Sequence, residues 1–265
     1  MSLRRSAVIV GLLVAALTPS TARAEDWRFS VGSSVNYLSG DYGTGRDTSL
    51  LYVPLTLTVA PVPRLKLGLT IPYIRQTGEN VVLTGGGVAA RNNVLATSRS
   101  VNRTEDGLGD ILLRGEYVLL EEGAVLPEVA PFLKVKFPTA DRDKGLGTGE
   151  FDETVGTSLS KTFFERLVGY IDLGYTFIGS PPGADFRNSF GWSLGAAYTI
   201  LVSLTVVAFL DGATAISPGQ DDPLAARVGA EFRLTKALKL TGAVARGFTD
   251  GAADWDVAAG LALGF

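Results

Sequence analysis

The last eleven residues, WDVAAGLALGF, place Trp255, Val257, Ala259, Leu261, Leu263 and Phe265 at every second position, with Asp256, Ala258, Gly260, Ala262 and Gly264 between them. A period of two marks a strand with two unlike faces. The same pattern recurs along the chain. WRFSVGSSVNYL (27–38) sets Trp27, Phe29, Val31, Val35 and Tyr37 against Arg28, Ser30, Gly32, Ser34 and Asn36. LLYVPLTLTVA (50–60), RLKLGLTIPYI (64–74), GDILLRGEYVL (109–119) and PFLKVKFP (131–138) alternate in the same way. Further strands are expected over 152–163, 168–179, 187–199, 203–214, 224–234, 237–248 and 254–265, with the phase least defined over 203–214.

These segments number twelve, and the connections between them come in two kinds. PVP, LEEGAVLP, FER, ILV and TK are short. SGDYGTGRD, the stretch from Gln76 to Asp106, ADRDKGLGTGE, SPPGAD and ISPGQDD are mostly longer and more polar, and DGAA before the last strand is short again. No segment of useful length has the helical period. The expected fold is all-β, antiparallel and up-and-down, with two different ends.

A soluble barrel or sandwich would bury the apolar faces, whereas a transmembrane barrel turns them to lipid. The opposite faces decide between the two. They carry Lys66, Arg114, Glu116, Lys134, Lys136, Asp172, Glu231, Arg233, Lys239 and Asp256, which a dry core would hold only at great cost. Aromatic residues fall near strand ends as an interface girdle does, Trp27 and Phe265 at one rim and Tyr37, Tyr73 and Trp255 at the other. In lipid a sheet has to close, so the last strand is expected to pair with the first. The reading is a transmembrane antiparallel up-and-down β-barrel of about 12 strands over residues 25–265.

The N-terminal residues agree with an outer-membrane location. MSLRRSAVIVGLLVAALTPSTARA has Arg4 and Arg5, an apolar run from Ala7 to Leu17 and a closing Ala22-Arg23-Ala24. These are the regions of a secretory signal peptide, expected to be cleaved after residue 24. Its loss takes the formal net charge from −3 to −6, because the segment holds three arginines and no acid. That mild acidity argues against a nucleic-acid partner. The chain has no Cys, hence no disulfide, and no His. Without His the usual general base, metal ligand and partner of a nucleophilic Ser are all missing. No catalytic residue, metal site or cofactor is assigned, and the chain is not read as an enzyme.

GLGDILLRGEYVLL (107–120), PFLKVKFPTADRDKGLGTGEFDETVGTSLSK (131–161) and GYIDLGYTFIG (169–179) resemble the outer-membrane proteins of the phenol-degradation meta-pathway family. The most specific part is the arrangement of Pro138, Thr139, Asp141 and Lys144 before Gly145–Gly149. The resemblance implies a barrel transporter, with a hydrophobic or aromatic permeant as the family-based expectation. A terminal aromatic on an alternating strand also resembles the assembly signal of bacterial outer-membrane proteins. It implies that the C-terminal strand engages the barrel-assembly machinery. GLGTG is not a phosphate loop, because a strand rather than a helix follows it. Its glycines are expected to shape an outer loop that needs positive φ.

The expected function is passive passage of a small molecule through a narrow lumen in the outer membrane of a Gram-negative cell. Lys66, Arg114, Glu116, Lys134, Lys136, Asp172, Glu231, Arg233 and Lys239 would line it. Lys134 and Lys136 lie two apart and so share a face with each other, as do Arg114 and Glu116 one strand away. Such opposed charges either select permeants or plug the barrel with salt bridges. Arg91, Arg99 and Arg103, in the long loop, would constrict the pore if that loop folds inward. The alternative is a closed barrel with a structural or surface-interaction role.

Overall fold

The computed structural model describes residues 28–40, 42, 47–78 and 104–265, and the backbone of 81–84 and 87–90. Its strands are β1 (Phe29–Gly40), β2 (Thr48–Val62), β3 (Leu65–Thr77), β4 (Val81–Thr84), β5 (Gly87–Ala90), β6 (Thr104–Leu108), β7 (Ile111–Tyr117) and β8 (Glu128–Phe137). They continue with β9 (Asp152–Phe163), β10 (Leu167–Ile178), β11 (Ser189–Leu201), β12 (Leu204–Ala213), β13 (Leu224–Arg233), β14 (Leu238–Gly247) and β15 (Trp255–Gly264). The signal-peptide segment 1–24, Trp27, Arg91, Arg99 and Arg103 lie outside the described residues.

Every wall strand runs antiparallel to its neighbours, and the sheet closes. β1 pairs with β2 on one side and with β15 on the other, from Ser30↔Gly264 to Ser39↔Trp255. Past the ladder, Phe265 N donates to Phe29 O at 2.8 Å. The terminal alternating segment is thus the closing strand, and neither β1 nor β15 is left with an edge facing hydrocarbon.

The barrel has twelve wall strands, because β6 and β7 together make one. Both pair with β3, and Gly109 and Asp110 interrupt them. A Cβ at Gly109 would overlap Ile74, and its N–H bonds Pro72 O at 2.8 Å, so the close approach requires glycine here. The fourth wall strand therefore starts at Thr104 rather than Gly109, and the expected long loop contains the β4–β5 hairpin and the start of β6.

The break has a consequence for the wall. β8 ends at Phe137, opposite Ile111, so β6 has β3 as its only ladder neighbour. Residues 138–151 occupy the space beside β6 instead of a strand. Lys144 Nζ bonds Asp106 O at 3.2 Å there, and Leu146 lies against Gly107.

Faces follow the alternation. Val35, Leu55, Leu67, Leu113, Leu133, Val155, Ile171, Leu194, Val228, Val244 and Leu261 are outward and exposed, as a lipid-facing belt requires. Tyr37, Tyr73 and Trp255 are exposed near the end with long loops, and Phe265 at the end with short turns, where its ring sits 6.0 Å from that of Phe29. β12 lacks a clear phase in sequence because both of its faces are apolar. Leu204, Val206 and Leu210 point outward, while Val207, Phe209 and Asp211 point into the lumen.

Candidate functional site: the lumen and its closure

Two apolar clusters gather at the loop end. Leu38, Leu50, Tyr52 and Ile74 from β1, β2 and β3 meet Tyr42, Ala253, Ala140 and Leu146 from the loops. Ile178, Phe186 and Ile216 form the second cluster, with Ala184 and Ala215 against it. Burial, with Asp256 and Asp254 nearby, pushes the Tyr42 phenol well above its ordinary range, so it stays a neutral hydroxyl within the plug.

The 138–151 loop enters this plug through one buried centre. Lys136 lies 2.9 Å from Asp152 Oδ2 and 3.1 Å from Asp110 Oδ2, and donates to Thr148 Oγ1 at 2.9 Å. Asp110 Oδ2 meets the ammonium as an ion pair without a hydrogen bond of its own. Asp110 Oδ1 accepts Ala140 N–H at 2.9 Å, and Asp152 Oδ1 accepts Gly179 N–H at 2.9 Å. Thr139 bridges the strand break, its Oγ1 accepting Ile111 N–H at 2.9 Å and donating to Gly109 O at 3.2 Å. Gly145 and Gly149 have φ of 75° and 76°, the positive values expected of GLGTG, and a Cβ on Gly147 would stand 2.7 Å from Asp110 Oδ2. The motif does not lie on the surface as an outer loop would. It folds inward and fills the interrupted wall.

Below the plug, charge is paired across neighbouring strands or along one strand. Arg227 meets Asp211 through Nε at 3.1 Å and Nη2 at 3.3 Å, Ser193 Oγ donates to the same carboxylate at 2.5 Å, and the guanidinium lies 4.7 Å from the Phe209 ring centroid. Arg114 bonds Glu116 at 2.6 Å and stacks 3.7 Å from the Phe132 centroid. Lys239 lies 3.3 Å from Glu231. Tyr170, Ala197 and Val207 form an inner apolar patch with Val168 and Phe209 against it. The bulky groups therefore come from β7 to β14. β15, β1, β2 and β3 turn in Gly260, Ala262, Gly32, Ser34, Thr56, Thr58, Gly68 and Thr70 beside Lys66, so that half carries mostly small side chains. Asn36 Oδ1, Tyr52 Oη and Asp256 Oδ1 are buried here without a protein partner among the described residues, which makes a place for ordered water.

Eight of the nine lumen candidates, Lys66, Arg114, Glu116, Lys134, Lys136, Asp172, Glu231 and Lys239, lie on inward strand faces. They do not form one ring. Lys66 stands across from Glu116 in the ladder, Lys136 belongs to the plug, and Lys134 lies one inward step below it. Arg233 ends β13 and is exposed at the rim, because the strand stops there. Sequence reasoning passed over Arg227, although it shares a face with Glu231. It missed Asp211 because β12 has no phase, and Asp110 and Asp152 because they stand at a break and a strand start.

A family model described as "Putative MetA-pathway of phenol degradation" matches residues 78–265. An outer-membrane channel from Pseudomonas putida F1, known from its crystal structure, superposes with a TM-score of 0.67 at 15% identity, covering 94% of this chain and 100% of the other. The KdgM porin, solved in complex with disordered oligogalacturonate, gives 0.52 at 10% identity, covering 89% and 99%. The CymD monoaromatic hydrocarbon channel gives 0.51 at 10% identity, covering 98% and 94%. At these identities the likeness is one of fold. No curated protein sequence matches the chain. The closed barrel with its exposed apolar belt puts the protein in a bacterial outer membrane.

Proposed function

The chain belongs to the family described as the MetA-pathway of phenol degradation, and from that premise and the lumen geometry we propose that it is a passive, non-catalytic channel for a small hydrophobic or aromatic molecule. The carrying observation is the plug beside the broken wall strand. An ion crossing the loop end would have to pass Leu38, Leu50, Ile74 and Leu146, which offer it no ligand. An apolar solute is compatible with those residues. Next to them the wall is closed between β6 and β9 by a loop rather than a ladder. Displacing that loop would open a way in from the membrane side, and the inner patch of Tyr170, Val207 and Phe209 lies further along the lumen. The neighbour described as an outer-membrane channel supports a channel, and the one described as a monoaromatic hydrocarbon channel supports this class of permeant.

In this reading residues 1–24 direct export, and β15 with its terminal Phe265 presents the strand taken up by the assembly machinery. The paired luminal charges hold the wall and the plug together, so they do not act as a selectivity ring.

The test pairs two measurements on the mature protein. Single-channel conductance in planar bilayers should be small. Entry of the apolar probe N-phenylnaphthylamine into intact cells should rise with expression. Large ohmic steps without probe entry would make the protein a hydrophilic pore. Silence in both assays, from protein shown to be folded by heat-modifiable gel mobility, would leave the closed structural barrel.

A further inference from the structure

Among the described residues, the most exposed large apolar side chains sit on three adjacent turns at the short-turn end. Val125 is 86% exposed, Phe164 90% and Val202 95%. These turns join β7 to β8, β9 to β10 and β11 to β12. They lie beyond the last ladder pairs, where a surface bathed only in water would carry polar groups.

The charges of the first of these turns are paired with one another. Lys161 has outward parity on β9, between Leu159 and Phe163, at a level where a free ammonium would meet lipid. It lies 3.1 Å from Glu122 and donates to the carbonyls of Gly123 at 2.5 Å and Ala124 at 3.2 Å. Glu122 in turn accepts Thr162 N–H and Oγ1–H, both at 2.9 Å. Glu121 pairs with Arg64 at 2.5 Å. The turn from Glu121 to Leu126 thus wraps its polar atoms around one lysine and presents Val125 and Leu126 outward. In the next turn Phe164 and Glu165 take φ of 51° and 62°, a left-handed pair that bulky residues rarely adopt. Phe164 is held at the tip, off the wall.

We propose that these three turns form a lipid-docking surface, immersed in the phospholipid headgroup region of the inner leaflet. Continuity decides for lipid over a protein partner. Leu119, Leu120, Phe163, Ile200 and Leu201, all exposed, bridge the tips to the lipid-facing belt, and the outward Lys161 beside Phe163 is neutralised by Glu122. Arg166, exposed beside Phe164, stands at the level of the phosphates. A turn that carries Val125 and Leu126 outward while Glu121 and Glu122 are paired with Arg64 and Lys161, beside a turn with Arg166 next to Phe164, suits the interface, where amphipathic groups are enriched.

The chain has no Cys, so single labels are unambiguous. V125C, F164C and V202C in the full mature protein would each carry an NBD fluorophore in phosphatidylethanolamine/phosphatidylglycerol vesicles, with D221C in an exposed outer loop as the aqueous reference. The three turn labels should emit to the blue of D221C, resist iodide several-fold better, and be quenched by shallow doxyl lipids. Iodide quenching equal to that of D221C would overturn the proposal and leave the turns as a protein-facing surface. In addition, V125D/F164D/V202D should fold like the parent in micelles but several-fold more slowly into vesicles. Equal rates in both would also count against it.

Discussion

Lys136 places its ammonium 2.9 Å from the carboxylate of Asp152, in a side chain only 2% exposed, and one strand away Asp110 forms an ion pair with the same ammonium at 3.1 Å. The pair joins β8 to β9, and Asp110 ties both to the break between β6 and β7. Lys136→Met would leave two buried carboxylates with nothing between them. Breaking a buried pair on one side costs about 3–5 kcal/mol. The urea midpoint of the folded gel band should fall accordingly, and K136M/D110N should recover part of the loss. A variant as resistant as the parent would show that the centre contributes nothing to the wall.

Gly147 is the point at which the inward loop touches that centre. A side chain there meets the Asp110 carboxylate and the Ala140 methyl, each less than 3 Å from the added carbon. Gly147→Val should therefore lift the loop out of the broken wall while leaving the ladders intact. The expected readout is larger and more frequent conductance steps in planar bilayers, with unchanged heat-modifiable mobility. Unchanged conductance would mean that the loop end is closed by something other than residues 138–151.

Much of the fold was legible because lipid imposes a strict two-residue rule on each strand. The twelve wall strands, the closure through WDVAAGLALGF and the inward parity of Lys134 and Lys136 all follow from it. The rule fails where a strand has two apolar faces, as in β12, whose inward Val207 and Phe209 build the luminal patch. It also fails at the β6–β7 break, where Gly109 interrupts the period for a contact with Ile74 that is distant in sequence. The site was less legible than the fold. A charge on an inward face reads the same whether it lines water or meets a partner from the next strand. Register alone shows that Arg227 lies opposite Phe209, and that Glu116 faces Lys66.

Acid should loosen the turn end first. Burial alone would raise the Glu122 carboxyl, but the N–H and hydroxyl of Thr162 and the Lys161 ammonium outweigh it and hold it below the ordinary carboxylate range. A carboxyl depressed on folding contributes stability above its unfolded value, about 4.3, and that stability is lost as pH falls through the lower folded value. Glu122→Gln should therefore be less stable than the parent at neutral pH, and the gap should close as the pH drops below the unfolded value. Urea midpoints at a series of pH values would show this, and a gap independent of pH would remove ionised Glu122 as its cause.

Phe209 separates an apolar permeation path from a merely packed barrel. Its ring lies 6.0 Å from that of Tyr170, over the Arg227 guanidinium and against Val207, on the side of the lumen opposite the small residues of β1 and β15. If the patch is where an apolar solute rests, Phe209→Asn removes its most apolar wall and should reduce N-phenylnaphthylamine entry several-fold. The Asp211–Arg227–Ser193 bonds do not involve the ring, so the variant should keep its heat-modifiable mobility. Phe209→Leu should restore entry, because it returns an apolar side chain without the aromatic ring. A loss in both variants would point to the stacking of Arg227 on Phe209 as the feature that matters. Unchanged entry in both would place the permeant path elsewhere, along the small-residue half formed by β15, β1, β2 and β3.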